Sequence, residues 1–123
     1  MSLRLLEELS GILETCYPIL AKMVGAKPVT VRERERTVDV DAILETVRKT
    51  NRAVYLEEGW PYVGIGAQIA ATVQEEAFDH LDAPILRVTQ ADVPMPYAKN
   101  LEQLAKPNVD RVVKACKKVL YMD

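Results

Sequence analysis

The sequence predicts an α/β fold with parallel strands, and three of its features carry that prediction. The segment Val29–Arg36 (VTVRERER) alternates with the two-residue period of a strand. Val40–Thr50 gathers Val40, Ile43, Leu44 and Val47 on one helical face, and Arg52–Glu57 (RAVYLE) is rich in β-branched and aromatic residues that pack on a sheet. Strand, helix and strand in succession make a parallel pair, joined by a right-handed crossover whose helix lies against a sheet face.

The elements follow in order. From Ser2 to Met23, Leu6, Leu9, Leu13, Cys16, Leu20 and Met23 recur at helical steps, with Pro18 placed to break the helix and Gly25 to end it. Leu3–Leu13 therefore reads as helix, and no first strand is recognisable there. The alternating Arg and Glu of Val29–Arg36 suit an edge strand, where charge keeps the open edge from templating aggregation. Asp39 is placed as N-cap of the Val40–Thr50 helix. A further helix runs from Gly64 or Gly66 to Phe78, with Ile65, Ile69 and Val73 in a row and Gly66 and Ala70 near them, small enough for close approach to the sheet. Leu86–Thr89 is a strand, Asp92–Tyr97 an irregular loop, and Asn108 the cap of a last helix. In that helix Val109, Val112, Val113, Cys116, Val119 and Leu120 face inward, and Lys114, Lys117 and Lys118 sit near its negative end.

Composition narrows the function classes. The chain has 123 residues, a size that suits one domain with a real core. Sixteen basic and eighteen acidic residues give a net charge of −2, so no broad attraction for nucleic acid or an anionic membrane is expected. The apolar runs fall far short of the roughly 20 residues that cross a bilayer. The opening MSLRLLEELSG resembles neither a signal nor a transit peptide, and Cys16 and Cys116 form no ligand set, which together predict an intracellular chain with two reduced, buried thiols.

The motifs favour packing and contact over catalysis. Gly64-Ile65-Gly66 opens a helix as a phosphate loop would, but Ile69 stands where a dinucleotide fingerprint needs a small residue, so close packing is expected instead. Glu57 and Glu58 end a strand, yet neighbours there point to opposite sides and cannot share acid and base work. The lone His80 lacks ligand companions and reads as a surface or helix-end histidine. Ser2 and Ser10, the only serines, lie in no nucleophile motif. Trp60, between Gly59 and Pro61, holds a large ring in place, either against the chain itself or across a subunit boundary. In DVPMPY, Pro94 and Pro96 stiffen the loop that carries Tyr97, which suits either docking on a neighbour or simple rigidity.

Four stretches also carry a resemblance: VDAILETVRKTNR (Val40–Arg52), EEGWPYVGIGAQIA (Glu57–Ala70), LDAPILRVTQADVPMPYAKNLEQL (Leu81–Leu104) and VDRVVKACKKVL (Val109–Leu120). From about Asp39 to Val119 the chain closely resembles the carboxyl-terminal domain of the β subunit of 2-oxoacid dehydrogenase E1, most of all pyruvate dehydrogenase. The resemblance implies a transketolase C-terminal-like domain of three layers, a mostly parallel open sheet with helices on both faces. It also implies a parent reaction, the thiamine diphosphate- and magnesium-dependent decarboxylation of a 2-oxoacid with acyl transfer to lipoyl-E2. The cofactor contacts of that family lie on other domains, so no cofactor site and no catalysis are expected of this chain alone.

What is implied instead is a non-catalytic assembly and partner-docking domain. Its partners would be the E1 α subunit, a second β subunit and the subunit-binding domain of E2, with a homodimer of the chain alone as a further possibility. Asp82 and the terminal carboxylate at Asp123 are the implied contacts for basic groups of E2, with Trp60 and Tyr97 as further contact residues. The compartment implied is bacterial cytoplasm or mitochondrial matrix. Residues 1–38 depart from the family pattern, and the usual larger amino-terminal domain is expected to be missing. An engineered or truncated domain that retains the fold without an activity of its own is the alternative.

Overall fold

A strand with all four residues buried, β3 (Ala53–Leu56), lies at the heart of the packing. The computed structural model describes residues 4–7, 27–30 and 38–122, and β3 shows how they divide into layers. Its side chains alternate: Val54 and Leu56 turn to one face, Ala53 and Tyr55 to the other. Burial on both faces is what a parallel sheet covered by helices on both sides requires.

Among the described residues the sheet has four strands in the order β2-β1-β3-β4, with β1 at Arg4–Glu7, β2 at Lys27–Thr30 and β4 at Leu86–Val88, and every pairing is parallel. On one face lie α1 (Val40–Thr50) and α2 (Ile65–Ala77). Ile43, Leu44 and Val47 of the first and Ile69, Val73 and Ala77 of the second close over Ala53 and Tyr55. A short 3-10 turn, Phe78–His80, follows α2. On the other face α4 (Val109–Val119) sets Val112, Cys116 and Val119 against Val54, Leu56 and Val88. Between β4 and α4 runs the short α3 (Lys99–Ala105). The expected three-layer α/β arrangement is present.

Local signals placed α1 and α4 well. Asp39 Oδ1 accepts from the Ala42 amide at 3.0 Å, and Asn108 Oδ1 accepts from the Arg111 amide at 3.0 Å. Each cap satisfies one of the amides that a first turn leaves without a partner. Asn51 closes α1 in the left-handed region at φ 61°, a conformation asparagine tolerates better than most residues.

Three expectations need correction. Leu3–Leu13 does not read through as helix: Arg4–Glu7 is a strand, paired Arg4 to Lys27 on one side and Arg4 to Ala53 on the other. A four-residue strand is too short to show a period of its own, and its leucines fit a helical face equally well, so pairing with two neighbours decides its state. The charged strand begins earlier than expected, at Lys27, while 31–36 lie outside the described residues. Its place at the sheet edge is as expected, and the edge accommodates Pro28, which cannot donate to a ladder. Finally, β2 and β3 are parallel but not adjacent, because β1 lies between them. The helix over Ser2–Met23 otherwise falls, with Cys16, Pro18 and Gly25, outside the described residues.

Candidate functional site

All strands being parallel, the two loops that leave β3 and β4 emerge at the same, carboxyl end of the sheet, where open α/β sheets concentrate their function. The first loop carries Glu57 to Gly64, the second Thr89 to Ala98. Backbone and side-chain bonds tie them together. The Gln90 amide donates to Gly59 O at 3.1 Å, Arg87 Nη1 donates to Pro61 O at 2.6 Å, and the Trp60 indole donates to Val93 O at 3.1 Å. With its amide turned so that donors meet acceptors, buried Gln90 also accepts from Trp60 Nε1 at 2.6 Å and donates to Glu58 O at 2.8 Å.

Trp60 is thus held by its own chain, yet 52% of it stays exposed, so the intrachain tether leaves a ring face open. In the same two loops Tyr62, Val63, Val93, Met95 and Tyr97 are exposed, Tyr97 completely. Val63 is also in the left-handed region at φ 59°, where a β-branched residue is strained, and it too is fully exposed. Strain at a loop tip with nothing of the chain packed on it is the mark of a residue presented outward.

Glu57 explains the glycines. It is 4% exposed, and its Oε2 accepts from the Gly66 amide at 3.2 Å, so the N-terminus of α2 receives a carboxylate from the chain itself. A Cβ on Gly64 would lie 2.6 Å from Glu57 Oε1 and 2.8 Å from Trp60 O, and one on Gly66 would lie 2.4 Å from the Tyr55 ring. Gly64 and Gly66 serve close packing, as the spacing predicted. Glu58 departs to the surface, where Lys106 bonds both Glu58, at 3.3 Å, and Glu102, at 2.7 Å. Those carboxylates, Glu102 foremost, hold the Lys106 ammonium above its ordinary pKa. The burial of Glu57 was not legible beforehand, since a strand-end glutamate carries no local sign that a helix start will cover it.

The helix start that could receive a phosphate already holds the Glu57 carboxylate, which would repel it, and no cluster of three or more His, Cys, Asp or Glu side chains placed to hold a metal ion occurs among the described residues.

Asp82 lies at the opposite, amino end of the sheet. Its carboxylate pairs with Arg52 at 3.5 Å, its amide donates to Asn51 O at 2.9 Å, and its carbonyl accepts from the Tyr121 hydroxyl at 3.1 Å. Arg52 also donates from Nε to Val119 O at 2.9 Å, and Asn51 Nδ2 to His80 O at 2.8 Å. The carboxylate of Asp82 remains 54% exposed despite its partner. His80 is exposed in its 3-10 turn, as expected. The structure therefore does not bring the four contact residues together. Trp60 and Tyr97 share the carboxyl end, Asp82 is remote from them, and Asp123 lies outside the described residues.

Comparison with known proteins decides the family. Residues 34–112 match the model of the transketolase C-terminal domain. The chain belongs to the transketolase C-terminal domain family. Among named relatives it is 55% identical over 87 residues to pyruvate dehydrogenase E1 component subunit beta of Rickettsia bellii, a match covering 71% of this chain and 27% of that protein. The mitochondrial counterpart of Saccharomyces cerevisiae is 45% identical over 117 residues, covering 94% of this chain and 30% of that protein. The chain thus spans under a third of the length of these relatives. A solved structure, a split-gene transketolase described as an inactive β4 tetramer, superposes with a TM-score of 0.72 at 23% identity over 98% of this chain and 38% of that one, and shares its fold. No helix among the described residues is long and apolar enough to cross a membrane.

Proposed function

We propose that this chain is the assembly and partner-docking domain of a pyruvate dehydrogenase E1 β subunit, contributing contacts rather than chemistry to a thiamine diphosphate-dependent decarboxylation carried out by the whole complex. The carboxyl end of the sheet carries the proposal: it gathers Trp60, Tyr62, Val63, Val93, Met95 and Tyr97, large apolar side chains left exposed on loops that are themselves stiff and cross-tied. Exposed clusters of this kind are characteristic of protein–protein contact, with aromatic anchors at their centre. Little ordering remains to be done when a partner arrives, because Pro94, Pro96 and the Trp60 tether have already fixed the loops.

The amino end supplies a second, polar contact. Asp82 is held in place yet half open, a fixed carboxylate suited to a basic group on the E2 subunit-binding domain, and Asp123 is assigned to the same contact by resemblance. The E1 α subunit and a second β subunit are the partners assigned to the apolar end. Size-exclusion chromatography with light scattering tests the proposal on the chain alone, with an E1 α subunit, and with an E2 subunit-binding domain. Self-association or a stable complex is expected in at least one mixture; a monomer in all of them overturns the reading. Tight thiamine diphosphate binding by the chain alone, measured by calorimetry, would overturn the non-catalytic assignment.

A further inference from the structure

A groove of about 330 Å³ runs beside β4, lined by Leu86, Arg87, Val88, Arg111, Lys114, Ala115 and Lys118. Two observations give it a direction. First, β4 is the outermost strand, with β3 on one side and no strand on the other among the described residues. Val88 O accepts from the Glu57 amide at 3.1 Å, so Val88 faces β3, and the alternation of a strand turns the N–H and C=O of Arg87 to the open side. Unpaired backbone groups of this kind form a template for another strand.

Second, the helical wall of the groove is cationic. Arg111, Lys114 and Lys118 follow one another at steps of three and four along α4, which sets them in a row, and all are exposed. The ion pairs of the described residues use Lys49, Arg52 and Lys106, and leave these three without one. Asp110 is the one acid on α4, and it forms no ion pair with Lys114 one turn on. Arg87 is not part of the row, since its guanidinium is turned to Pro61 O. In a chain whose net charge is −2, three cations without an ion pair therefore lie in a row beside an open strand edge.

We propose that this edge binds an extended acidic peptide segment, which adds to β4 as a further strand and sets alternate carboxylates against Arg111, Lys114 and Lys118. The dimensions agree. From Arg111 to Lys118 the helix rises roughly 10 Å, and alternate side chains of an extended strand stand about 7 Å apart, so two or three acidic residues at every second position span the row. The backbone of Arg87 supplies main-chain pairing, and the row of cations selects charge and register. Overall negative charge and the narrowness of the row argue for a peptide over a nucleic acid, whose binding depends on neutralising many phosphates.

The test is fluorescence anisotropy with a labelled peptide alternating Glu and Thr, against its Gln-Thr counterpart, an Arg111→Gln/Lys114→Gln/Lys118→Gln variant, and the Glu-Thr peptide with alternate backbone nitrogens methylated. The substituted residues are exposed, and circular dichroism checks that the variant folds. Saturable binding is expected, weakened by about tenfold or more in the variant and with the Gln peptide, since several ion pairs are lost together. Methylation should abolish it, and the Arg87 amide should gain protection from hydrogen exchange in the complex. Absence of saturable binding, equal binding by the methylated peptide, or equally tight binding of an oligothymidylate each overturns the proposal.

Discussion

The two ends of the sheet meet solvent in opposite ways. At the amino end Arg52, Asp82, Asn51, His80, Val119 and Tyr121 satisfy one another through side-chain and backbone bonds. At the carboxyl end the bonds run inward, among Trp60, Val93, Gln90, Gly59, Pro61 and Arg87, and the apolar surfaces of the same loops are left outside. The difference separates order from exposure. Both ends are well tied, but the amino end presents a polar network around a half-open Asp82 carboxylate, whereas the carboxyl end presents the larger set of exposed apolar side chains.

That contrast can be broken experimentally. The largest effect is expected from Trp60→Ala combined with Tyr97→Ala. If the carboxyl end is a docking face, association with the E1 α subunit or a second copy should weaken by roughly thirtyfold or more in analytical ultracentrifugation, the scale of lost aromatic anchors, while the fold survives. Next comes Gly66→Ala, which would force a methyl group against the Tyr55 ring and loosen the anchor of the first loop. Urea denaturation should register a loss of about 1–3 kcal/mol, typical of overpacking.

A smaller effect of opposite sign tests the strain at the loop tip. Val63→Asn keeps the backbone and removes the penalty of a β-branched residue at positive φ, so stability should rise by about 1 kcal/mol in the same assay. Smallest is Asp82→Asn at the other end. An ion pair that remains half exposed contributes under about 1 kcal/mol, so unfolding should barely change, whereas binding to the E2 subunit-binding domain, measured by calorimetry, should weaken if the carboxylate meets a basic partner.

How much of this was legible in the sequence follows from where each signal lies. Asp39 and Asn108 announce α1 and α4 because a cap and a helical period are local, and the residues that carry them are contiguous. Arg4–Glu7 announces nothing, because its state depends on Lys27–Thr30 and Ala53–Leu56, which are distant in the chain. The short α3 went unseen for a related reason: Leu101 and Leu104 are exposed, so no inward-facing stripe marks it. At the site, Pro94 and Pro96 foretold a stiff loop and the glycines foretold close packing. The identity of what Gly64 and Gly66 pack against, the buried Glu57 carboxylate and the Tyr55 ring, arises only when β3 and α2 meet.

The position of β1 reaches beyond the site. Nineteen residues separate its last residue from the first of β2, and forty-five separate it from the first of β3, yet it bridges both. Among the described residues, β1 is what joins β2 to the β3–β4 pair. Pairing across such sequence separations is of the long-range kind that slows folding. Deleting residues 4–7, or fusing a bulky tag directly ahead of them, should therefore damage solubility far more than the same change made to an outer strand.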